Sequence, residues 1–589
     1  MVGEVKMKNE KQLFKIPCGE SNFEFIRTKR YIYVDKTHFI PQLEGTTKLI
    51  HLRPRRFGKS LFVSMLEAYY DVAREDKFDQ LFGGLYVHTA PTMDKNNYYV
   101  LHFDFSGIAT VDVETVLDGF TSRVRADVKA FVDYYQLDIK YDSEGTPASI
   151  LNSFLTAFRG LGLKHKIYIL IDEYDHFTNA VLDNGIPDFM ALVNRGGIVR
   201  SFYEIIKINC KHGVIERFFI TGVMSVSLDC MTSGFNIATN ITIDKRFANM
   251  VGFTSEEVKQ ILCLPLEKSF SNDRNDMKVE LMPTEQEEIY EIWRQNYNGY
   301  LFSESSKIKV FNATLIMYYL QQYVEEREHP KDLVDPNLNQ SGTTIKNLAE
   351  LANREVNYEV VEEVVKERVV AGKLSKFIKV DEKYDRNDFM TLLFNIGLLT
   401  IKEPGVRTRF EIPNKIIETI YFQYLSELTQ KRLGCILDVK EQEIAIDEIA
   451  MDGKINKLSQ LVSAFLASTS GRNDNRFSEK EIKLTYLFIL STTNQYFVYD
   501  EFPALRGYSD VVILKTPASF AQYEYVIELK HTKKGEKDET TTSRVEKEFA
   551  AGVSQIAKYM EDKRLANRPN LKKFVVVFAG VEVARMEEI

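Results

Sequence analysis

Two short constellations in this chain carry side chains suited to phosphate chemistry. The first is Arg53-Pro54-Arg55-Arg56-Phe57-Gly58-Lys59-Ser60, which follows the apolar run Lys48–Leu52 and precedes the helical pattern Leu61–Tyr70. A phosphate-binding loop needs inward-facing backbone N–H groups, a lysine reaching the outer phosphates, a hydroxyl for Mg²⁺ and a helix N-terminus behind them. Gly58, Lys59 and Ser60 supply those parts. Arg53 stands where the usual pattern has its first glycine, so a basic surface turn is the competing reading. The apolar run 166–171 ends in Asp172 and Glu173. There the first carboxylate can position Mg²⁺ and the second can polarise water, although helix-capping acids would look the same. Thr221, on the next apolar run, is placed to sense an outer phosphate.

The second constellation is Asp510 with Glu528-Leu529-Lys530. Glu528 and Lys530 are two apart on a predicted strand and project from one face, which Asp510 can reach from the neighbouring strand. Two carboxylates can hold one or two Mg²⁺ beside a scissile phosphate. A nearby lysine can orient the attacking water and offset charge built up in the transition state. Taken alone, Glu-x-Lys reads equally as a surface ion pair. Its surroundings favour chemistry. Glu479 opens the preceding helix, with Glu481 as the other candidate carboxylate there. Gln555 and Tyr559 lie four apart on the following helix and share a face. Lys533, Lys534, Lys537, Arg544, Lys547 and Lys558 cluster around this site but alternate with acids, so a solvated surface rivals a phosphate-binding one.

The elements that must position these residues follow from periodicity. Strand-like runs at 31–34, 48–52, 99–106, 166–171 and 216–224 alternate with helical patterns, which predicts a parallel sheet covered by helices. From about 254 to 430 the pattern is mostly helical, with helices at 256–262, 285–295 and 358–370 and one β-pair at 397–401 and 409–412. Polar stretches at 329–344 and 466–478 read as linkers. A second α/β unit follows: helix 479–491, strands 496–501, 509–515 and 522–530, helix 544–563, strand 573–579.

The chain has 589 residues, too many for one core. It is 44% hydrophobic and 27% charged, with a net charge of −8, so any nucleic-acid site is a local patch on an acidic protein. The five cysteines, Cys18, Cys210, Cys230, Cys263 and Cys435, lack metal-ligand spacing and fit a reducing compartment. With no apolar leader at the start and no apolar run long enough to span a bilayer, a cytoplasmic location is expected.

Several segments resemble the predicted AAA-ATPase-like family: YIYVDKTHFI (31–40), LRPRRFGKSLFVSMLEAYY (52–70), YILIDEYD (168–175), FFITGVMSVS (218–227), SGFNIATNIT (233–242), VGFTSEEV (251–258), NYNGYLF (296–302) and FNATLI (311–316). That family's loop typically reads Arg-Pro-Arg-Arg-Phe-Gly-Lys-Ser, so Arg53 is a family trait. The resemblance implies an AAA-type nucleotide fold followed by a helical, winged-helix-like segment through 389–401 and 411–415. Arg55 and Arg56 would touch phosphate or a neighbouring subunit of a homo-oligomer, with a solvated or structural role as the equal alternative. FSEKEIK (477–483), EFPALRGYSDVVIL (501–514), YEYVIELK (523–530) and GVSQIAKYM (552–560) resemble the PD-(D/E)XK nuclease superfamily. By that resemblance Asp510 and Glu528 are metal ligands, Lys530 is the catalytic lysine, Gln555 lies near substrate and Glu479 is the helix carboxylate. His531 stands where tyrosine is common.

The reading is therefore a multidomain α/β protein. Residues 1–280 form a P-loop domain, 281–440 a helical, winged-helix-like middle and 441–589 a nuclease-like domain. The expected cofactors are ATP and Mg²⁺, and the expected partner is nucleic acid, DNA first. The rival classes are a nucleotide-dependent switch that binds without cutting, and an ATPase with a structural tail.

Overall fold

The computed structural model describes residues 13–108, 112–176, 197–224, 237–269, 277–334, 340–350, 353–375, 378, 384–433, 437–469, 478–505, 507–534 and 538–589. Cys230, Cys435 and Lys537, and parts of the segments 218–227 and 233–242, lie outside them. The chain divides into two compact units, 1–327 with 343–414, and 328–342 with 415–589. The helical middle expected at 281–440 is thus divided: its 343–414 part belongs to the first unit and the segment from Lys415 to the second. Among the described residues no helix is long and apolar enough to cross a membrane.

The first unit is built on β1 (Lys48–Leu52), α1 (Lys59–Tyr70), β2 (Tyr98–Asp104), α2 (Val113–Tyr134), α3 (Pro147–Gly160), β3 (Lys166–Asp172), α4 (Ile198–Lys211), β4 (Ile215–Gly222) and β5 (Thr239–Asn240). The sheet is wholly parallel, with order β2-β3-β4-β1-β5. The continuous apolar runs of β1, β3 and β4 follow from burial on both faces. Successive side chains alternate between those faces. On β2, His102 meets Glu67 of α1 at 2.9 Å, while Phe103 packs edge-on against Phe202 of α4. Strand order places β4 between the strand that feeds the Gly-Lys-Ser turn, β1, and the strand that ends in Asp172, β3. The C-terminal ends of all three therefore converge, the usual place for a ligand in such sheets.

Next come α5 (Ser255–Leu262), α6 (Pro283–Asn296), α7 (Ala313–Glu326), α8 (Arg354–Glu367), β6 (Val369–Gly372), α9 (Arg386–Asn395), β7 (Thr400–Glu403) and β8 (Thr408–Glu411). The last three strands form an antiparallel sheet of order β6-β8-β7. Two expectations fail here. The 358–370 helix stops at Glu367 and Val369 begins a strand; the valine-rich run carries both periodicities, and Arg368 in a left-handed conformation breaks it. Residues 31–34 form no strand beyond a single bridge at Tyr31.

The second unit contains α10 (Lys415–Leu433), α11 (Val439–Asp447), α12 (Asn456–Thr469), α13 (Glu479–Leu490), β9 (Tyr496–Ala504), β10 (Gly507–Lys515), β11 (Glu524–Thr532), α14 (Asp538–Tyr559), β12 (Leu571–Ala579) and β13 (Glu582–Glu588). Its sheet, order β9-β10-β11-β12-β13, is antiparallel except for the parallel pair β11–β12 that α14 connects. The edge strand β13 was not anticipated; its mixed charges and partial exposure hide the alternation of a half-buried strand. Val575, Val577 and Ala579 of β12 pack with Ile556 of α14 on one face, and Tyr486 of α13 meets Phe578 on the other.

Gly552 sets the approach of α14. A Cβ there would lie 2.6 Å from Val575 Cγ1 and 3.6 Å from Glu528 Cγ. Valine in a strand cannot rotate away cheaply. Gly552→Ala therefore sets about 1 kcal/mol of helix propensity gained against roughly 1–3 kcal/mol of overpacking. The expected result is a lower unfolding midpoint, measured by thermal melting; an unchanged or higher midpoint would show that the helix does not depend on this close approach.

Candidate functional site

In the first unit the loop after β1 bends through two left-handed residues, Arg56 (φ 70°) and Gly58 (φ 93°). Gly58 is the N-cap of α1 and makes no side-chain cap bond. The first N–H groups of α1 are thus presented to the space in front of them, and the helix dipole favours an anion there. Arg53 explains the missing first glycine. Its guanidinium is buried, stacks 4.3 Å from the Phe302 ring centroid and donates to the carbonyls of Leu52, Thr242 and Phe247. Burial pulls its pKa down to about 9, so it remains charged at neutral pH. It ties the loop to the body of the unit. Phe57 anchors the next turn by edge-on packing against Tyr300 and Phe302, and the Arg56 carbonyl accepts from Thr314 at the start of α7.

Lys59 is buried, and its Nζ lies 3.3 Å from Glu173 Oε1. Burial alone would push the Glu173 carboxyl up, but Lys59 and Arg55 outweigh it and hold Glu173 below the ordinary range. Glu173 sits at φ 49°, a sparsely populated conformation for a non-glycine residue. Its N–H is held by Asp172 Oδ1 at 2.9 Å. Burial raises Asp172, with a hydrogen bond from Ser60 opposing. Thr221 is buried and its hydroxyl has no hydrogen-bond partner.

A cavity of about 300 Å³ opens in front of this cluster. Its lining includes Arg56, Gly58, Lys59, Ser60 and Glu173, and also the apolar side chains of Ile32, Tyr33, Met250, Val251, Phe253 and Met317. Arg55 is exposed, and neither it nor Asp172 nor Thr221 is among the residues that line the cavity. The size and the mix of charged and apolar lining suit a nucleotide. Sequence reasoning missed the apolar lining, because its residues come from three separate segments, the first of them more than two hundred positions from the other two. It also missed Asp175, which is buried and takes the N–H groups of Val223 and Met224, fixing the loop beyond β4.

In the second unit, Lys530 Nζ donates to Glu528 Oε1 at 2.7 Å and lies 3.7 Å from Glu479 Oε1 and 3.9 Å from Asp510 Oδ2. The structure thus brings all four residues together. Glu481 is engaged elsewhere, closing a capping box with Ser478, so Glu479 is the helix carboxylate that faces the lysine. Asp510 Oδ2 accepts the N–H of Leu529 at 2.9 Å. Burial, then Asp510, push Glu528 up to about 7, with Lys530 opposing; the same two causes raise Glu479. Burial alone would lower Lys530, but Glu528 and the other two carboxylates hold it above its ordinary value. His531 is on the opposite face of β11, and burial lowers its pKa. Among the described residues no three His, Cys, Asp or Glu side chains are arranged to hold a metal by themselves. At this site, among the described residues, two buried acceptors lack a geometrically sound hydrogen bond, Glu528 Oε2 and Gln555 Oε1, although the Tyr559 hydroxyl lies close enough to Glu528 to act on its carboxyl. A buried carboxylate oxygen left unbonded next to further carboxylates is a poor arrangement for the apoprotein and a good one for a hard cation. The residues present fit Mg²⁺. Arg544, Lys547 and Lys558 are exposed on α14, and Lys534 is paired with Glu582.

Two family models match the regions that carry these residues. Residues 17–232 match the family described as predicted AAA-ATPase, and residues 477–588 match the PD-(D/E)XK nuclease superfamily. The chain therefore carries an AAA-ATPase-like domain and a PD-(D/E)XK superfamily domain. An uncharacterised protein encoded in the vnfD 5′ region of Azotobacter chroococcum is 26% identical over 468 residues, covering 77% of each chain. Among solved structures, a Walker-type ATPase of Pyrococcus abyssi is 11% identical with a TM-score of 0.33, covering 66% of this chain and 94% of its own. The ORC2 protein of Aeropyrum pernix, in ADPNP–ADP complexes, is 12% identical with a TM-score of 0.30, covering 67% and 97%.

The Glu528 environment gives a stability test. A carboxyl raised from 4.5 to about 7 in the folded state adds stability below about pH 4.5, and this is lost as pH rises through about 7. Metal-free protein should therefore lose up to about 3 kcal/mol from this group between pH 5 and pH 8. Glu528→Gln should lack that loss. Urea midpoints in EDTA at the two pH values decide; equal pH dependence in parent and variant would rule out a strained carboxylate.

Proposed function

We propose that this protein binds and hydrolyses ATP in its N-terminal unit and cleaves nucleic-acid phosphodiesters with Mg²⁺ in its C-terminal unit, under control of the bound nucleotide. The observation that carries the nuclease reading is the convergence of Asp510, Glu528 and Glu479 on the one ammonium of Lys530, with Glu528 Oε2 and Gln555 Oε1 buried and unsatisfied.

At the first site the loop N–H groups, Lys59 and Arg56 bind the phosphates, and Ser60 with Asp172 holds the accompanying Mg²⁺. Phosphate drawing on the Lys59 charge weakens its pairing with Glu173. The Glu173 carboxylate then orients water and accepts its proton. The Thr221 hydroxyl, unsatisfied without ligand, donates to the outer phosphate. Arg55, exposed beside Glu173, adds positive charge at the mouth or meets a neighbouring subunit.

At the second site Asp510 and Glu528 hold Mg²⁺. Such an ion neutralises phosphate charge and makes water a stronger nucleophile. Lys530 orients that water and offsets charge gathering on the phosphate. Glu479 and Gln555 position Lys530 and the substrate.

The test is metal-dependent cleavage of single- and double-stranded DNA and RNA, with and without ATP, in parallel with ATP turnover. Asp510→Asn, Glu528→Gln and Lys530→Ala should each cut roughly 10²–10⁴-fold more slowly while ATP binding is kept. Lys59→Ala should lose ATP binding. Glu173→Gln should bind ATP and turn it over slowly. Thr221→Val, which deletes an orphaned hydroxyl, should fold normally and hydrolyse more slowly. Equal cleavage by parent and all three C-terminal variants would refute the assigned site. Binding without cleavage under every metal and nucleotide condition would favour a nucleotide-dependent switch.

A further inference from the structure

The β9–β10 hairpin extends past the rest of its sheet. β10 pairs with β11 only from Ile513–Tyr525 to Val511–Ile527. Beyond that point the Leu529 N–H turns to the Asp510 side chain instead of a β10 carbonyl. β9 and β10 stay paired with each other out to Ala504–Gly507. The result is a two-stranded arm leaving the sheet at the residue assigned as a metal ligand. The arm is braced at its root: Phe502 is buried with Val512, Tyr559 and Leu565, and the Arg564 guanidinium lies 4.9 Å from its ring centroid. A Cβ on Gly507 would touch the Tyr559 ring at 3.6 Å.

On β10, Ser509 is buried, and Tyr508 and Asp510 project from the other face. Tyr508 is 66% exposed, and Leu505 at the tip is 70% exposed. Tyr508 stands two residues, roughly 7 Å along the strand, from Asp510. A large ring left in water on a braced arm contributes little to folding, while its π-face is open beside the phosphate site. Exposed Lys547, Ser554 and Lys558 recur at helical spacing along α14, and Lys558 is next in sequence to the Tyr559 that borders Gly507 near the arm's tip.

We infer that the arm stacks a nucleobase on Tyr508, one nucleotide away from the phosphate that a cation at Asp510 and Glu528 would hold, and thereby selects unpaired single strands over intact duplex. This rests on the nuclease reading above. In a duplex the base faces are already stacked on one another, and exposing one has an unstacking cost. In a single strand they are available, and every base offers such a face, so the contact selects strandedness rather than sequence.

The probe is a short single-stranded DNA oligonucleotide containing 2-aminopurine, whose fluorescence falls on stacking, compared with a hairpin duplex of the same sequence. Both are titrated with the full chain, with Ca²⁺ in place of Mg²⁺. The parent should bind the single strand more tightly and quench it. Tyr508→Ala should weaken single-strand binding about 5- to 150-fold and abolish the extra quenching, with duplex affinity and melting temperature unchanged. Tyr508→Trp should keep both affinity and quenching. Parent-like binding by Tyr508→Ala, or a parent that prefers duplex, would overturn the inference. If Asp510→Asn still abolishes cleavage in that case, the nuclease reading stands and only the stacking arm fails.

Discussion

A glutamate taken out of water needs a cation beside it, and each half of this chain meets that need with one lysine: Lys59 for Glu173 and Lys530 for Glu528. The surroundings give the two pairs opposite characters. At Lys59 the positive side is in excess, because the α1 N-terminus and the nearby arginines add to the ammonium, and Glu173 is held below its ordinary range. At Lys530 the negative side is in excess, because three carboxylates share one ammonium, and Glu528 is pushed up to about 7. The first site has an electrostatic deficit that an anion fills, and the second one that a cation fills. The proposed phosphate and Mg²⁺ ligands would answer this asymmetry.

Each fold delivers its pair by placing strand ends. The parallel sheet brings the ends of β1, β3 and β4 together, so Lys59 at the start of α1 meets Glu173 beyond β3, and Ser60 meets Asp172. In the second unit a parallel β11–β12 pair lets α14 cross over Glu528, and Gly552 lets it settle close. β10 leaves the ladder at Asp510, which replaces a backbone acceptor with a carboxylate.

Much of this was legible in the sequence, because period-2 spacing and buried apolar runs report strand faces directly. Glu528-x-Lys530 shares a face on those grounds alone, and Gly58-Lys59-Ser60 sits at a strand-to-helix junction. Less was legible where two roles share one pattern. Glu479 and Glu481 both open a helix, and only the capping bond of Glu481 to Ser478 separates them. The valines from 360 to 370 serve a helix and then a strand. Arg53 resembles a phosphate ligand by charge but is a buried brace, because its partners are the carbonyls of Thr242 and Phe247. The apolar lining of the first unit's cavity was invisible, since Ile32, Met250 and Met317 adjoin only in three dimensions.

The central claim is that the second site is built for a cation and the first for an anion. Mn²⁺ binding to the nucleotide-free chain, followed by electron paramagnetic resonance, tests it most directly. The account predicts Mn²⁺ binding that Asp510→Asn and Glu528→Gln each weaken severely, that Lys59→Ala leaves unchanged, and that strengthens from pH 5 to pH 8 as Glu528 ionises. Mn²⁺ binding indifferent to both carboxylate substitutions would contradict it.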